Sequence, residues 1–190
     1  MALKAVHTDL EKQTEFMELY TPLNARLSRF CEALTKNRED ARDLMSDTIL
    51  TAFEHFDQLK SKEAFLSYLF GTASNIFKNK NRQKKWWGVF EQKKAEEVSG
   101  SYSDAEMSTD LSLLYHTLSK MPEEQKMALL LFEVSGLSIK EICEVQKAGE
   151  SAVKSRISRA RKELVKLMGE KKPKLSTLRM VSMVLNSFLF

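Results

Sequence analysis

Apolar residues recur every three or four positions along most of this chain, and no segment alternates apolar and polar for more than a few residues. A period near 3.6 buries one face of a helix, whereas a strand built from it would point half its apolar groups at water. Only six Gly and three Pro interrupt the pattern, so it predicts an all-α protein. A length of 190 residues allows one large or two small domains.

The helical pattern comes in two blocks. Within residues 11–87, EFMELYTPLNARLSRFCEAL is amphipathic and NREDARDLMSDTILTAFEHF opens with a capping-type Asn followed by acids. KEAFLSYLFGTASNIFKNKNRQKKWW follows after a short polar connection. Periodicity is then lost in GVFEQKKAEEVSGSYSDAEMST, which is rich in Ser, Gly and acids. It returns in 110–168, with Pro122 suited to a first helical turn and Gly136 to a helix terminus. The expected organisation is two small helical domains, 10–87 and 110–168, joined by a flexible linker at 88–109. A hydrophobic extension occupies 169–190. Its segment PKLSTLRMVSMVLNSFLF is short and broken by Arg179, unsuited to a membrane span. Leu178, Val181, Leu185 and Phe188 share a face, which predicts a short helix packed on its own domain, or a cover over a functional surface.

Several function classes are excluded. At 43% hydrophobic and 29% charged residues the composition is that of an ordinary soluble protein. Cys31 and Cys143 are far apart and lack metal-type spacing, so two reduced core thiols are expected. His7, His55 and His116 are isolated from one another, and GxSxG, P-loop and HExxH patterns are missing. The N-terminal MALKAVHTDLEKQ lacks the apolar stretch of a signal peptide. These features predict a cytoplasmic protein that is not an enzyme and uses no cofactor, metal or small-molecule substrate.

What remains is charge, placed on three predicted helices. On SAVKSRISRARKELVKL, Val153, Ile157, Ala160, Leu164 and Leu167 fall within an arc of about 80°. Ser155, Ser158 and Lys162 point away from it, flanked by Lys154, Arg159 and Lys166. Residues 150–172 hold eight basic and three acidic side chains. Such a face is either merely solvated or made for DNA, where small hydroxyls keep the rod slim and arginines reach guanines or phosphates. The preceding LSIKEICEVQKAGE favours DNA: a short helix with Ile139, Ile142 and Val145 inward, a tight turn at Ala148–Gly149, then the basic helix. That is a helix-turn-helix over about 137–162.

The second surface is acidic. With Leu44, Met45, Thr48, Ile49, Ala52 and Phe56 on the core side, Asp43, Asp47, Leu50 and Glu54 line up on the other. An exposed leucine between like charges suits a basic protein partner, and the face would repel DNA. The third surface lies on 62–87. Phe65, Leu69, Thr72, Ala73, Ile76 and Phe77 form its buried side, and Gly71, Ser74, Asn75, Lys78 and Arg82 a polar stripe. The stripe ends in KNKNRQKK, five cations without an acid, before Trp86 and Trp87. Amides and cations suit unstacked single-stranded bases and their phosphates. The tryptophans are expected to cover the core.

At this point a family resemblance is evident. DARDLMSDTILTAFEHFD and KEAFLSYLFGTASNIFKNKNRQKK resemble the second region of bacterial RNA polymerase sigma factors. LSKMPEEQKMALLLFEVSGLSIKEICEVQKAGESAVKSRISRARKEL resembles the fourth. The two-region layout over roughly 14–168 is similar to the extracytoplasmic-function (ECF) subgroup. The resemblance implies two partners: core RNA polymerase, through the largest-subunit clamp coiled coil and the flap, and promoter DNA. An anti-sigma factor is a further possible partner. Polymerase docking would fall on Asp43, Ser46, Asp47, Leu50 and Glu54. Single-stranded promoter contacts would fall on Asn75, Lys78, Lys80, Arg82, Lys84 and Lys85. Duplex contacts would fall on Ser151, Lys154, Ser155, Arg156, Ser158, Arg159, Arg161 and Lys162. Ser46, Ile49, Tyr68, Gly71 and Ala152 replace residues common in the family at those places (Gln, Phe, Trp, Arg and Thr).

Two other classes compete with this reading. A stand-alone helix-turn-helix regulator would explain 110–168 but give the acidic stripe nothing to do. A helical adaptor that binds only proteins predicts no salt-dependent DNA affinity.

Overall fold

A computed structural model of the chain describes residues 2–35, 37–59, 61–91 and 116–167, with side chains over 9–83 (except 36 and 60) and 116–166. The linker centre, the tail and both tryptophan side chains therefore lie outside the described residues. The N-terminal unit comprises α1 (Ala2–Tyr20), α2 (Asn24–Leu34), α3 (Arg38–Glu54) and α4 (Phe65–Glu91). The C-terminal unit comprises helical residues 116–120, then α5 (Glu123–Glu133), α6 (Ile139–Gln146) and α7 (Glu150–Leu167). Among the described residues there is no strand.

Local chemistry sets the boundaries. Asn37 caps α3 as expected, its side chain accepting from the Asp40 amide at 2.7 Å, and Glu39 and Asp40 complement the helix dipole. Ser138 and Glu141 form a reciprocal capping box on α6, a signal present in the sequence as SIKE. Gly136, at φ 64, turns the chain after α5 so that the Ser135 and Leu137 amides bond back to Leu130 and Leu131.

The two cores differ in kind. In the N-terminal unit Phe16 meets Phe53, Phe56 and Phe65 edge-on at centroid distances of 5.3, 5.4 and 5.5 Å, and Phe30 meets Phe70 at 5.3 Å. Each such pair contributes about 0.5–1.5 kcal/mol beyond area burial. Cys31 is buried beside this cluster, and burial pushes its thiol up to about 12. The C-terminal core is aliphatic: Met127, Leu129, Leu130, Leu131, Leu137, Ile142, Val153, Ile157, Ala160 and Leu164. Cys143 is half-buried, and neither cysteine is in a disulfide.

The units pack on one another, and their buried residues form one continuous cluster. The face between them is made by α2 and α4 from one side and by α5 and α6 from the other. Arg26 reaches across to the Ser135 carbonyl, its Nε donating at 2.9 Å. Lys126 donates to the Leu34 carbonyl at 3.2 Å and lies 5.0 Å from the Phe77 ring centroid.

Four sequence expectations change. Ser74 is not on an exposed polar stripe but is buried against the C-terminal unit. Its hydroxyl donates to the Phe70 carbonyl at 2.7 Å and approaches Met127 Sδ at 3.3 Å, which removes the cost of burying it. The helix-turn-helix turn is made by Lys147 in the left-handed region (φ 48), one residue before the expected Ala148–Gly149. Helix α4 runs on through Gly88 to Glu91, and α1 begins at Ala2, well before the expected start at 10. Gly is tolerated inside a long helix at a cost of about 1 kcal/mol, so a lone Gly88 does not stop one.

Candidate functional site

The acidic surface stands on α3. Ala41, Leu44, Thr48 and Ala52 are buried, which turns Asp43, Ser46, Asp47, Leu50 and Glu54 to the outside, all exposed. Leu50 is 58% exposed, a large apolar group left uncovered by the described residues. Asp43 and Glu54 have no ion pair among the described residues, whereas Asp47 accepts from Lys80 Nζ at 2.6 Å.

The strand-type surface on α4 is divided by the packing of the two units. Asn75 and Arg82 are exposed. Lys78 is partly covered and paired with Glu124 of α5 at 2.7 Å. Lys80 is paired with Asp47, and the side chains of Lys84 and Lys85 lie outside the described residues. Beside Asn75 runs a groove of about 430 Å³ between the units, bounded by Tyr68, Gly71, Asn75, Glu144, Val145 and Lys147. Burial raises the Tyr68 hydroxyl pKa above its ordinary value, against a smaller opposing hydrogen bond with Thr72, so the phenol stays neutral and able to donate.

On α7 the inward face is as the period demands, with Val153, Ile157, Ala160 and Leu164 buried. Ser151, Lys154, Ser158, Arg159 and Lys162 are exposed along the outer face and Ser155 is half-buried. Their charges are not equally available. Arg159 and Lys162 make no ion pair among the described residues. Lys154 bonds Glu150 one turn earlier at 2.8 Å, and that hydrogen bond raises its pKa. Arg156 donates to Gln146 Oε1 at 2.8 Å and faces Glu124 at 3.5 Å. Arg161 is held by Glu133 of α5 at 2.5 Å, with its guanidinium 5.2 Å from the Phe132 ring centroid. A sequence signal for that pair existed only in the positions of Glu133 and Arg161 on two helices whose packing the pattern does not fix.

Among the described residues no group of His, Cys, Asp and Glu is arranged to hold a metal ion, and no helix is long and apolar enough to cross a membrane. The described residues present an acidic exposed face on α3 and basic ones on α4 and α7.

Comparison with known proteins follows the same division. The family model for Sigma-70 region 2 matches residues 19–87, and that for Sigma-70 region 4 matches residues 111–164. The chain is 26% identical over 149 residues to the ECF RNA polymerase sigma factor EcfG of Rhodopseudomonas palustris, covering 75% of this chain and 78% of that one. It is 27% identical over 137 residues to the ECF RNA polymerase sigma-E factor of Escherichia coli, covering 66% and 72%. In fold it is similar to the sigma factor RpoE, solved with the anti-sigma factor NepR from Bartonella quintana. That match has TM-score 0.66 at 23% identity and covers 82% of this chain and 99% of that one. It is similar also to CnrH, solved with the cytosolic domain of CnrY, at TM-score 0.64 and 21% identity, covering 86% and 94%. With a region 2 and a region 4 in the expected order on one helical scaffold, the chain belongs to the sigma-70 family, among its ECF RNA polymerase sigma factors.

Proposed function

We propose that the chain docks on core RNA polymerase through α3 and reads promoter DNA through α4 and α7, acting in the cytoplasm without catalytic chemistry of its own. The observation that carries this reading is the separation of opposite charge on exposed faces. Among the described residues Leu50 stands uncovered beside Asp43, Asp47 and Glu54 on α3, while Arg159 and Lys162 make no ion pair on α7. An apolar contact ringed by carboxylates suits a basic helical partner such as the clamp coiled coil, with charge setting orientation and leucine supplying affinity. Ser46 completes that face. The helix-turn-helix of α6 and α7 enters the upstream major groove. Ser151, Lys154, Ser155, Ser158, Arg159 and Lys162 then meet bases or phosphates, with Arg156 and Arg161 at the edge of the contact. Asn75, Lys78, Lys80, Arg82, Lys84 and Lys85 hold the displaced strand at the downstream element. Unstacking costs a few kcal/mol per step and is offset by contacts to the released bases.

The complexes named for RpoE with NepR and for CnrH with CnrY support an anti-sigma partner for this chain as well. A stand-alone helix-turn-helix regulator is less well supported, since it leaves the α3 face without a role. Run-off transcription with purified core polymerase on a random promoter library tests the reading directly. In the same assay Asn75→Ala is expected to keep duplex binding and lose most permanganate reactivity of the opened strand. Undiminished reactivity removes Asn75 from strand capture.

A further inference from the structure

Helix α1 buries Phe16 and Tyr20 in the N-terminal core, with Leu19 partly buried beside them. Another side of the same helix carries a second apolar line. Leu10 and Met17 are 55 and 45% exposed, two of the three large apolar side chains left this open among the described residues. With Thr14 and Thr21, both exposed, they recur at i, i+4, i+7 and i+11, within an arc of about 60°. The Thr14 hydroxyl donates to the Leu10 carbonyl at 2.8 Å, and that of Thr21 to the Met17 carbonyl at 2.6 Å. Neither hydroxyl then needs water, so an apolar helix laid along this line strands no polar group. At 1.5 Å per residue the strip is about 16 Å long.

The charges beside the strip narrow what can lie on it. From Asp9 to Tyr20 the helix holds four acids, Asp9, Glu11, Glu15 and Glu18, and one cation, Lys12. Lys12 is held by Asp57 at 2.6 Å and Glu15 by Lys62 at 2.8 Å, while Asp9, Glu11 and Glu18 are exposed. A second copy of α1 would bring like charge against like, and nucleic acid or an anionic lipid surface would meet the same carboxylates. A basic amphipathic helix fits, and residues 168–190 supply the sequence for one. They hold Lys171, Lys172, Lys174 and Arg179 against Glu170. The face shared by Leu178, Val181, Leu185 and Phe188 is about 15 Å long as a helix, matching the strip. Residues 168–177, between α7 and that face, reach about 33 Å when extended, comparable with the width of a small domain. Leu50 on α3 offers one apolar contact, whereas α1 offers four positions in register.

We propose that α1 is the seat of the chain's own C-terminal segment. Residues 174–190 lie as a helix along Leu10, Thr14, Met17 and Thr21, with Arg179 and the lysines before it toward the α1 acids. The contact ties the end of the sequence to its first helix. It does not depend on how α3, α4 and α7 meet polymerase and DNA.

The test uses the full chain with a nitroxide at Asn186→Cys in a Cys143→Ser background, Cys31 being buried. Nuclear magnetic resonance then reads the broadening of backbone amide signals. Amides from Leu10 to Thr21 are expected to broaden. Leu10→Gln combined with Met17→Gln places a good helix former at two exposed positions. This variant should lose the broadening and become severalfold faster in tryptic cleavage after Arg179. Arg179→Glu, which leaves α1 untouched, should weaken the broadening as well. Broadening centred on Leu50 of α3 or on 116–167, or none along α1, overturns the seat. Broadening that survives both variants overturns the apolar and charge contacts as its cause. Mixing isotope-labelled chain free of nitroxide with nitroxide-bearing chain free of isotope separates the sources. Broadening in that mixture as strong as within one chain overturns the own-chain contact in favour of a second copy's segment.

Discussion

Helices α3 and α7 carry opposite charges on outward faces of similar length, yet the fold uses those charges differently. On α3 the chain answers one of the three aligned carboxylates, Asp47, and leaves Asp43 and Glu54 without an ion pair among the described residues. On α7 it answers Lys154, Arg156 and Arg161 with Glu150, Glu124 and Glu133. The reason is position. Among the described residues the aligned carboxylates of α3 meet one cation of α4, Lys80, whereas α7 packs along α5, whose Glu124 and Glu133 answer Arg156 and Arg161, and Lys154 is answered within α7 by Glu150. A charge in the sequence is thus a different thing from a charge available to a partner. By that measure the docking face proposed on α3 keeps most of its charge available, and the DNA face proposed on α7 narrows to a strip centred on Arg159 and Lys162.

The contrast is open to attack by substitution. Asp47→Arg has the largest expected effect. It places a cation among contacts meant for a basic partner, at a cost of about 3 kcal/mol, or on the order of a hundredfold in capture of core polymerase. Undiminished capture by a folded variant would move docking away from α3. Next comes the pair Arg159→Ala and Arg161→Ala. The first should weaken promoter-duplex binding by about 1–3 kcal/mol while leaving the melting temperature almost unchanged. The second should do the reverse, costing about 1–2 kcal/mol of stability through Glu133 and Phe132 with little effect on duplex binding. Equal effects in footprinting and thermal denaturation would erase the distinction between available and engaged cations. The smallest effect belongs to Lys80→Ala, which releases Asp47. An exposed pair is worth about 0.2–1 kcal/mol, so polymerase binding should tighten by about fivefold at most. Weaker binding by calorimetry would show that Lys80 orients Asp47 and does not compete for it.

Much of this was legible before any coordinates. The α7 period assigned Val153, Ile157, Ala160 and Leu164 to the core, and the α3 period exposed Asp43, Asp47, Leu50 and Glu54. Asn37 announced the start of α3. Other features stayed hidden for identifiable reasons. Ser74 reads as polar, but a helical serine satisfies its hydroxyl on the carbonyl four residues back and can then be buried. The left-handed turn residue is a lysine two positions before the better-suited Gly149, because the capping bonds from the Lys147 amide fix where α6 ends.

The sequence alone determined which residues face inward on each helix, since a 3.6-residue period and the aversion of apolar groups to water leave little choice. It also determined the sign of charge on each outer face. Only the tertiary structure decided which helix covers which. The alignment of Gly71 with Val145, and of Glu124 with Lys78 and Arg156, depends on groups 46 and 32 residues from Glu124 and on a close approach between units. Periodicity says that a face is covered; it takes packing in three dimensions to say by what, and so which charges remain for DNA and polymerase.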